Sequence, residues 1–365
     1  MASRGKHPQW SRRAWLDGVF LGGAALFLPD GAHRAWSARM ALGAAAPKTE
    51  PFFSTRGVVI RPPDIRNWPW PEKAHEAGLT TIGTHVFPHE VQGFLVTDEG
   101  QRFLEECRAL GLHVEHELHA INDLLPRNLF DKDPSLFRMD ENGERVRDYN
   151  LCVHSEAAVA LACENAVKFA RTLRPTTGRY FYWIDDGEPM CRCPKCRPYS
   201  DSDQALLLEN AMLNALRRED STATLAHLAY AKTMDPPTQV KPEPGIFLEF
   251  APIQRRFDVS MGDGLIALHS QLLEQLDANL ALFGADGAQA LEYWLDESLF
   301  YRAHHRTLTK IPWENAVFEQ DVAVYAKRGI RHITTFAVLV DRDYVDQFGE
   351  PPLDAYGHGL EAYRG

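Results

Sequence analysis

Eight short β-type runs alternating with longer helical ones predict an α/β fold closed as a (β/α)8 TIM barrel. Three observations carry that prediction. The 365 residues, 45% of them hydrophobic, can bury one large core, and barrels of this kind occupy such a length as a single domain. From Pro51 onward strand-like and helix-like patterns alternate, which implies parallel β/α units. No glycine-rich phosphate fingerprint follows the first strand, where the alternative fold, an open doubly wound nucleotide-binding sheet, would need one.

Taken in order, the strands are "GVVIR" (57–61), "TTIGTHV" (80–86), "HVEHELHA" (113–120), "RYFYWID" (179–185), "TLAHLAY" (224–230), "IFLEFAP" (246–252), "ALEYWLD" (290–296) and "HITTFAVL" (332–339). Helices are expected at 97–111, 155–173, 203–218, 264–283 and 314–328. The first shows the logic: Phe103, Leu104, Cys107 and Leu110 recur at helical spacing, and Gly111 stops the run. About 34 residues separate the third strand from the next helix, and a loop of that length inside a compact domain is usually functional.

Residues 1–46 read differently from the catalytic-type domain expected over 47–365. "SRRAWLDGVFLGGAALFLP" places Arg12 and Arg13 before an apolar segment too short to span a bilayer, which resembles a bacterial twin-arginine export signal. A buried amphipathic helix is the alternative. The small residues Ala44 to Ala46 offer a cleavage region, so the expected location is periplasmic or extracellular with no membrane span after processing. The formal net charge of -11, without any long Lys/Arg run, argues against nucleic acid as a partner and fits a carbohydrate or glycoprotein substrate better.

Barrel chemistry sits at the C-terminal ends of the strands, where the following loops converge. Carboxylates and histidines cluster there: Glu117 and His119 on strand three, Asp185 and Asp186 after strand four, His227 and Tyr230 on strand five, Glu249 on strand six, and Glu292, Asp296 and Glu297 around strand seven. Glycosidic bond cleavage needs such a ring, one acid to protonate the leaving oxygen and a second group to stabilise the cationic sugar centre. Asp185, Asp186, Glu249 and Glu292 are the candidate catalytic acids; Glu117, His119, Trp183, His227, Tyr230, Tyr293 and Asp296 are candidate substrate contacts. Any one of these acids can instead be a helix cap or a salt-bridge partner. Trp183 is the expected sugar platform because it immediately precedes the acidic corner, although strand aromatics commonly belong to the core.

Cys191, Cys193 and Cys196 form C-x-C-x2-C, close enough to converge on one tetrahedral ion, with Cys152 or His154 as fourth ligand. A structural zinc is one reading; a loop disulfide after export or free thiols are the others. No cofactor is required for the expected catalysis. A catalytic zinc is disfavoured, because thiolates leave little Lewis acidity at the metal.

The segments "HELHAINDLLPRNLF", "FRMDENGERVRDYNLCVHS", "RYFYWIDDGEPMCRCPKCRPYSDSDQALLLEN", "HLAY", "GIFLEFAPIQR" and "LEYWLDESLFYR" together resemble the bacterial domain of unknown function 4838, whose members include family 163 of the glycoside hydrolases. The resemblance implies a barrel hydrolase of the endo-β-N-acetylglucosaminidase type, cutting the chitobiose core of N-linked glycans. It also implies a logic similar to family 20 hexosaminidases, in which an acidic pair after strand four works with the substrate's own acetamido group. Carried over, Asp185 would orient the acetamide and Asp186 would be the general acid. The family 20 pair is Asp-Glu and this one is Asp-Asp, one methylene shorter, so Glu188, Glu249 and Glu292 stay open as donors. Other readings are an α-glucuronidase-like or other exo-glycosidase on plant polysaccharide, with Arg61, Arg127 or Arg255 as uronate anchor, and a non-catalytic carbohydrate-binding barrel.

Overall fold

All eight expected strands form, and each pairs in parallel with its sequence neighbours until β8 meets β1. They are β1 (Thr55–Ile60), β2 (Thr81–Thr84), β3 (His113–His119), β4 (Arg179–Trp183), β5 (Thr224–Ala229), β6 (Ile246–Phe250), β7 (Gln289–Glu292) and β8 (His332–Phe336). The computed structural model describes residues 50–303 and 305–365, so the export-signal expectation for residues 1–46 lies outside the described residues. No helix among the described residues is long and apolar enough to cross a membrane.

Strand parity divides the core in two. Val59, Phe181, Trp183, Ala226, Leu228, Phe247, Leu291 and Phe336 pack together in one cluster inside the barrel. Their neighbours Val58, Tyr182, Leu225, Leu248, Phe250, Ala290 and Ile333 belong to a second, larger cluster that includes the surrounding helices. The period of two along each strand is what sends successive side chains to opposite faces.

The five expected helices are present as Asp98–Ala109, Glu156–Ala170, Asp201–Leu216, Ala267–Phe283 and Asn315–Ala326. The third begins two residues earlier than its apolar pattern suggests because Ser200 caps it. The Ser200 hydroxyl accepts from the Asp203 N–H at 3.0 Å while Asp203 accepts from the Ser200 N–H at 3.3 Å. Short helices such as Pro62–Asn67, Trp70–Glu76 and Pro88–Leu95 escape the periodic reading, since one or two turns give too few positions for an apolar stripe. β7 ends four residues sooner than "ALEYWLD" suggests, because the chain turns at Tyr293, whose carbonyl accepts from the Asp296 N–H at 3.1 Å.

The long segment between β3 and Glu156–Ala170 carries its own short structure: a helical turn at Ile121–Leu124 and an antiparallel bridge between Met139 and Arg145. It folds back over the end of β4, and this brings Arg127 and Asn150 onto Asp185.

Candidate active site

β4 ends at Trp183, one residue before the pocket-facing loop, and this releases the acidic pair from strand alternation. A turn follows, with the Glu188 N–H donating to the Asp185 carbonyl at 3.1 Å and Gly187 at φ 65, a left-handed backbone that glycine adopts without steric cost. The two carboxylates therefore enter different environments. His119, Ile184, Asp185, Gly187, Glu188, Leu228, Tyr230, Lys232 and Thr233 line the concavity between them and the end of β5.

Asp185 is buried and held. Its Oδ2 accepts from the Asn150 N–H at 2.6 Å and from Arg127 Nη2 at 3.2 Å, and its Oδ1 accepts from the Asn122 N–H at 3.2 Å. The Asn150 side chain returns the contact, its Oδ1 accepting from the Asp185 N–H at 2.9 Å. Burial pushes the Asp185 carboxyl above its ordinary value, opposed by the Arg127 charge and the backbone donors. A carboxylate has about four lone-pair directions, so these three donors leave it able to accept one more hydrogen bond from the pocket.

Asp186 is 58% exposed. The Tyr230 hydroxyl donates to its Oδ1 at 2.9 Å. His119 donates through Nδ1–H to the Ile184 carbonyl at 2.7 Å, which fixes the tautomer and turns Nε2 toward Asp186 Oδ1 at 3.9 Å. Glu188 lines the same concavity, and burial pushes its carboxyl upward.

The floor beneath is aromatic. Trp183 packs against His119 at 5.1 Å and His85 at 5.7 Å, and His85 against Phe336 at 5.0 Å. His85 donates from Nδ1 to the Glu117 carbonyl at 2.6 Å, and burial with the neighbouring His119 drops its pKa to about 3, so it sits there neutral. Its role in the floor was not signalled by its strand, which carries no acidic corner to mark a site.

Several expected site residues lie elsewhere. Trp183 is 1% exposed and presents no face to a sugar; its indole N–H points down into the barrel and donates to Glu249 Oε2 at 2.7 Å. Glu249 and Glu117 sit below the floor, both accepting from the Gln289 side-chain amide, at 3.0 Å and 3.2 Å. Burial pushes Glu249 to about 8 and lifts Glu117 well above the ordinary carboxyl range, the Glu249 charge adding to the effect on Glu117. Neither reaches the mouth.

His227 and Glu292 face outward by strand parity, as their neighbours Leu228 and Leu291 face inward. His227 Nδ1 lies 2.7 Å from Glu209 Oε2, and its ring stacks on Phe283 at 4.9 Å. Glu292 is sealed behind the barrel with Arg255 at 3.1 Å, while Arg255 also pairs with Asp321 at 2.7 Å. Asp296 accepts through Oδ1 from the N–H and hydroxyl of Ser298, at 3.1 Å and 2.6 Å, and so caps Glu297–Ala303. Tyr293 is buried against Phe336 at 5.2 Å, yet it also borders a second concavity formed with Phe257, Trp294, Phe300 and Trp313 in segments that follow β6 and β7. The three arginines considered as uronate anchors are committed: Arg61 to Asp64 at 3.3 Å, Arg127 to Asp185, and Arg255 to its buried pair.

The cysteines converge. The thiols of Cys152, Cys191, Cys193 and Cys196 lie within 4.8 Å of one another, all buried. Cys152 is the fourth member, and His154 stands behind the cluster with Nδ1 3.2 Å from Cys196 Sγ.

Part of the chain matches a family model. Residues 96–276 match the model described as "Domain of unknown function (DUF4838)". The DUF4838 span covers a little under half of the chain and takes in β3 to β6, the acidic pair and all four clustered cysteines. No curated protein matches the chain. Among solved structures, it is similar to a glycoside hydrolase family 20 β-N-acetylglucosaminidase at 11% identity, over 86% of this chain and 70% of that one, with a TM-score of 0.48. A family 5 glycoside hydrolase from Prevotella bryantii B14, in complex with a xyloglucan tetradecasaccharide, gives 11% identity, 80% and 86% coverage and a TM-score of 0.47. An exo-β-1,4-mannosidase from Opitutaceae bacterium strain TAV5 gives 14% identity, 80% and 54% coverage and a TM-score of 0.45. These are likenesses of fold.

Proposed function

We propose that the chain is a glycoside hydrolase, exported by residues 1–46, that cleaves N-acetylglucosamine linkages of N-glycan cores as a retaining endo-β-N-acetylglucosaminidase. One observation carries the reading: two adjacent carboxylates at the C-terminal end of β4 occupy opposed environments, one buried and anchored, the other open to the concavity beside Tyr230 and His119. Acids set apart in this way take different roles.

In this reading Asp185 accepts the N–H of the substrate's 2-acetamido group with its remaining lone pair, which orients the acetamide carbonyl oxygen toward the anomeric carbon. Its negative charge, sustained by Arg127 and two backbone donors, balances the positive charge that develops on the cyclised acetamide. Asp186 gives its proton to the departing oxygen. It then takes a proton from the water that opens the cyclic intermediate, so two displacements at one carbon retain configuration. Substrate covering the exposed side of Asp186 removes water from it and raises its proton affinity, as a general acid needs. Glu188, on the same concavity, is the second candidate donor. The aromatic concavity around Phe257 and Trp313 suits the face of a further sugar ring.

The test is incubation of the full chain with high-mannose and complex-type N-glycoproteins, with released glycan followed by mass spectrometry, beside Asp186→Asn. Release by the wild type and its loss in the variant is the expected result. Absence of release from every N-glycan class overturns the substrate, and full activity in Asp186→Asn overturns the assignment of the donor.

A further inference from the structure

We infer that Cys152, Cys191, Cys193 and Cys196 bind one structural zinc ion that staples the β3 loop to the β4 loop and so holds Asn150 against Asp185. The argument begins with distance. Zinc bonds thiolate sulfur at about 2.3 Å, and four sulfurs at tetrahedral corners around it stand about 3.8 Å apart. Cys152 Sγ lies 3.8 Å from Cys193 Sγ and 3.8 Å from Cys196 Sγ, and no pair in the cluster exceeds 4.8 Å. Sulfurs joined as disulfides would be about 2.05 Å apart.

The surroundings suit a tetrathiolate carrying two net negative charges. The Met139 and Cys193 N–H groups point at Cys191 Sγ from 3.3 Å and 3.4 Å, Arg145 Nη1 lies 3.8 Å from the same sulfur, and His154 Nδ1 is 3.2 Å from Cys196 Sγ. Donors of this kind around the ligating atoms orient them and offset their charge. Exposure of 0 to 4% at the four cysteines closes the site to water, which four thiolates would do in any case by leaving no open position. The ion is therefore structural, and the chemistry proposed above does not pass through it.

Its mechanical role follows from chain position. Cys152 stands two residues after Asn150, and Cys191 two residues after Pro189, whose carbonyl accepts from Asn150 Nδ2 at 3.1 Å. Both loops that clamp Asp185 thus run directly into the cluster.

Metal analysis of the full chain, purified untagged under reducing conditions, is expected to give one zinc per chain. Replacement by cobalt should give the intense thiolate-to-cobalt charge transfer and visible bands of a tetrahedral tetrathiolate, a readout that needs neither a variant nor an assay of activity. Cys152→Ser should lower zinc retention at least about tenfold and weaken the charge-transfer band, with Cys163→Ser unchanged. On metal removal, amide exchange over 149–155 and 184–190 should accelerate about tenfold or more while that of β1 stays as it was. Iron in place of zinc, six titratable thiols with no metal, or four of the cysteines recovered as two disulfides would each overturn the ion. Zinc present with exchange over those two segments unmoved by its removal would overturn the staple.

Discussion

Asn150 and Asp185 are bonded twice, backbone to side chain in both directions, with the Asn150 N–H 2.6 Å from Asp185 Oδ2 and the Asp185 N–H 2.9 Å from Asn150 Oδ1. Asn150 also spends its Nδ2 on the carbonyls of Glu188 and Pro189, at 3.2 Å and 3.1 Å. One side chain thereby fixes both ends of the acidic turn. Asn150 sits at φ 48, a left-handed conformation that asparagine tolerates better than most residues. Asn150→Gly keeps the backbone conformation and deletes the side-chain bonds, so its cost isolates them. A loss of about 2–3 kcal/mol by urea denaturation is expected, as buried partners are left unpaired.

Asp186 is exposed, so the folded state asks little of it. Asp186→Asn should unfold within about 0.5 kcal/mol of wild type, while kcat/KM on an N-glycan substrate falls by about 100-fold to 10,000-fold, the usual worth of a general acid. Asp185→Asn should do both kinds of damage, because it removes a buried charge that the half-buried Arg127 guanidinium pairs with. Denaturation and kinetics measured on the same preparations separate the two residues.

The architecture was legible because eight strands and five long helices each declare themselves through their own periodicity, and eight parallel β/α units have one natural closure. The acidic corner was legible for the same reason, as Asp185 and Asp186 follow a strand whose end a barrel aims at the mouth. What sequence order hid was direction. Glu292 and His227 stand on strands near the correct end, and only the inward packing of Leu291 and Leu228 turns them away. Depth was equally hidden: Glu249 and Glu117 point inward but lie under the Trp183 floor. Asn150 and Arg127 come from a segment with almost no periodic pattern, and nothing local ties them to a carboxylate 35 and 58 residues later.

The carboxyls beneath the floor make stability depend on pH. Burial raises Glu249 to about 8 from an ordinary 4.5, so the folded protein holds this proton more tightly than the unfolded chain does. The associated stability is complete below about pH 4.5 and is lost as pH rises through about 8. Glu249→Gln removes that titration. Between about pH 5 and pH 9 the variant's urea midpoint should fall less than the wild type's, with the gap widest at the alkaline end. Parallel curves would show that Glu249 is ionised throughout.

Glu292 offers the cleanest separation of structure from chemistry among the expected acids. It is fully buried, accepts from Arg255 Nε at 3.1 Å and from the Tyr325 hydroxyl, and shares Arg255 with Asp321, which also accepts from Trp294 Nε1 at 3.2 Å. The cluster fastens β7 and the loop after β6 to Asn315–Ala326. Removing Glu292 leaves Arg255 Nε and the Tyr325 hydroxyl without their acceptor in a buried site, while Asp321 still pairs with Arg255, and a buried donor left unpaired typically costs about 1–3 kcal/mol. Glu292→Leu should therefore lower the unfolding free energy by about that amount while kcat of the folded fraction, measured well below the transition temperature, stays within about twofold of wild type. Should Glu292 be a proton donor instead, kcat would collapse at temperatures where circular dichroism still reports a folded barrel.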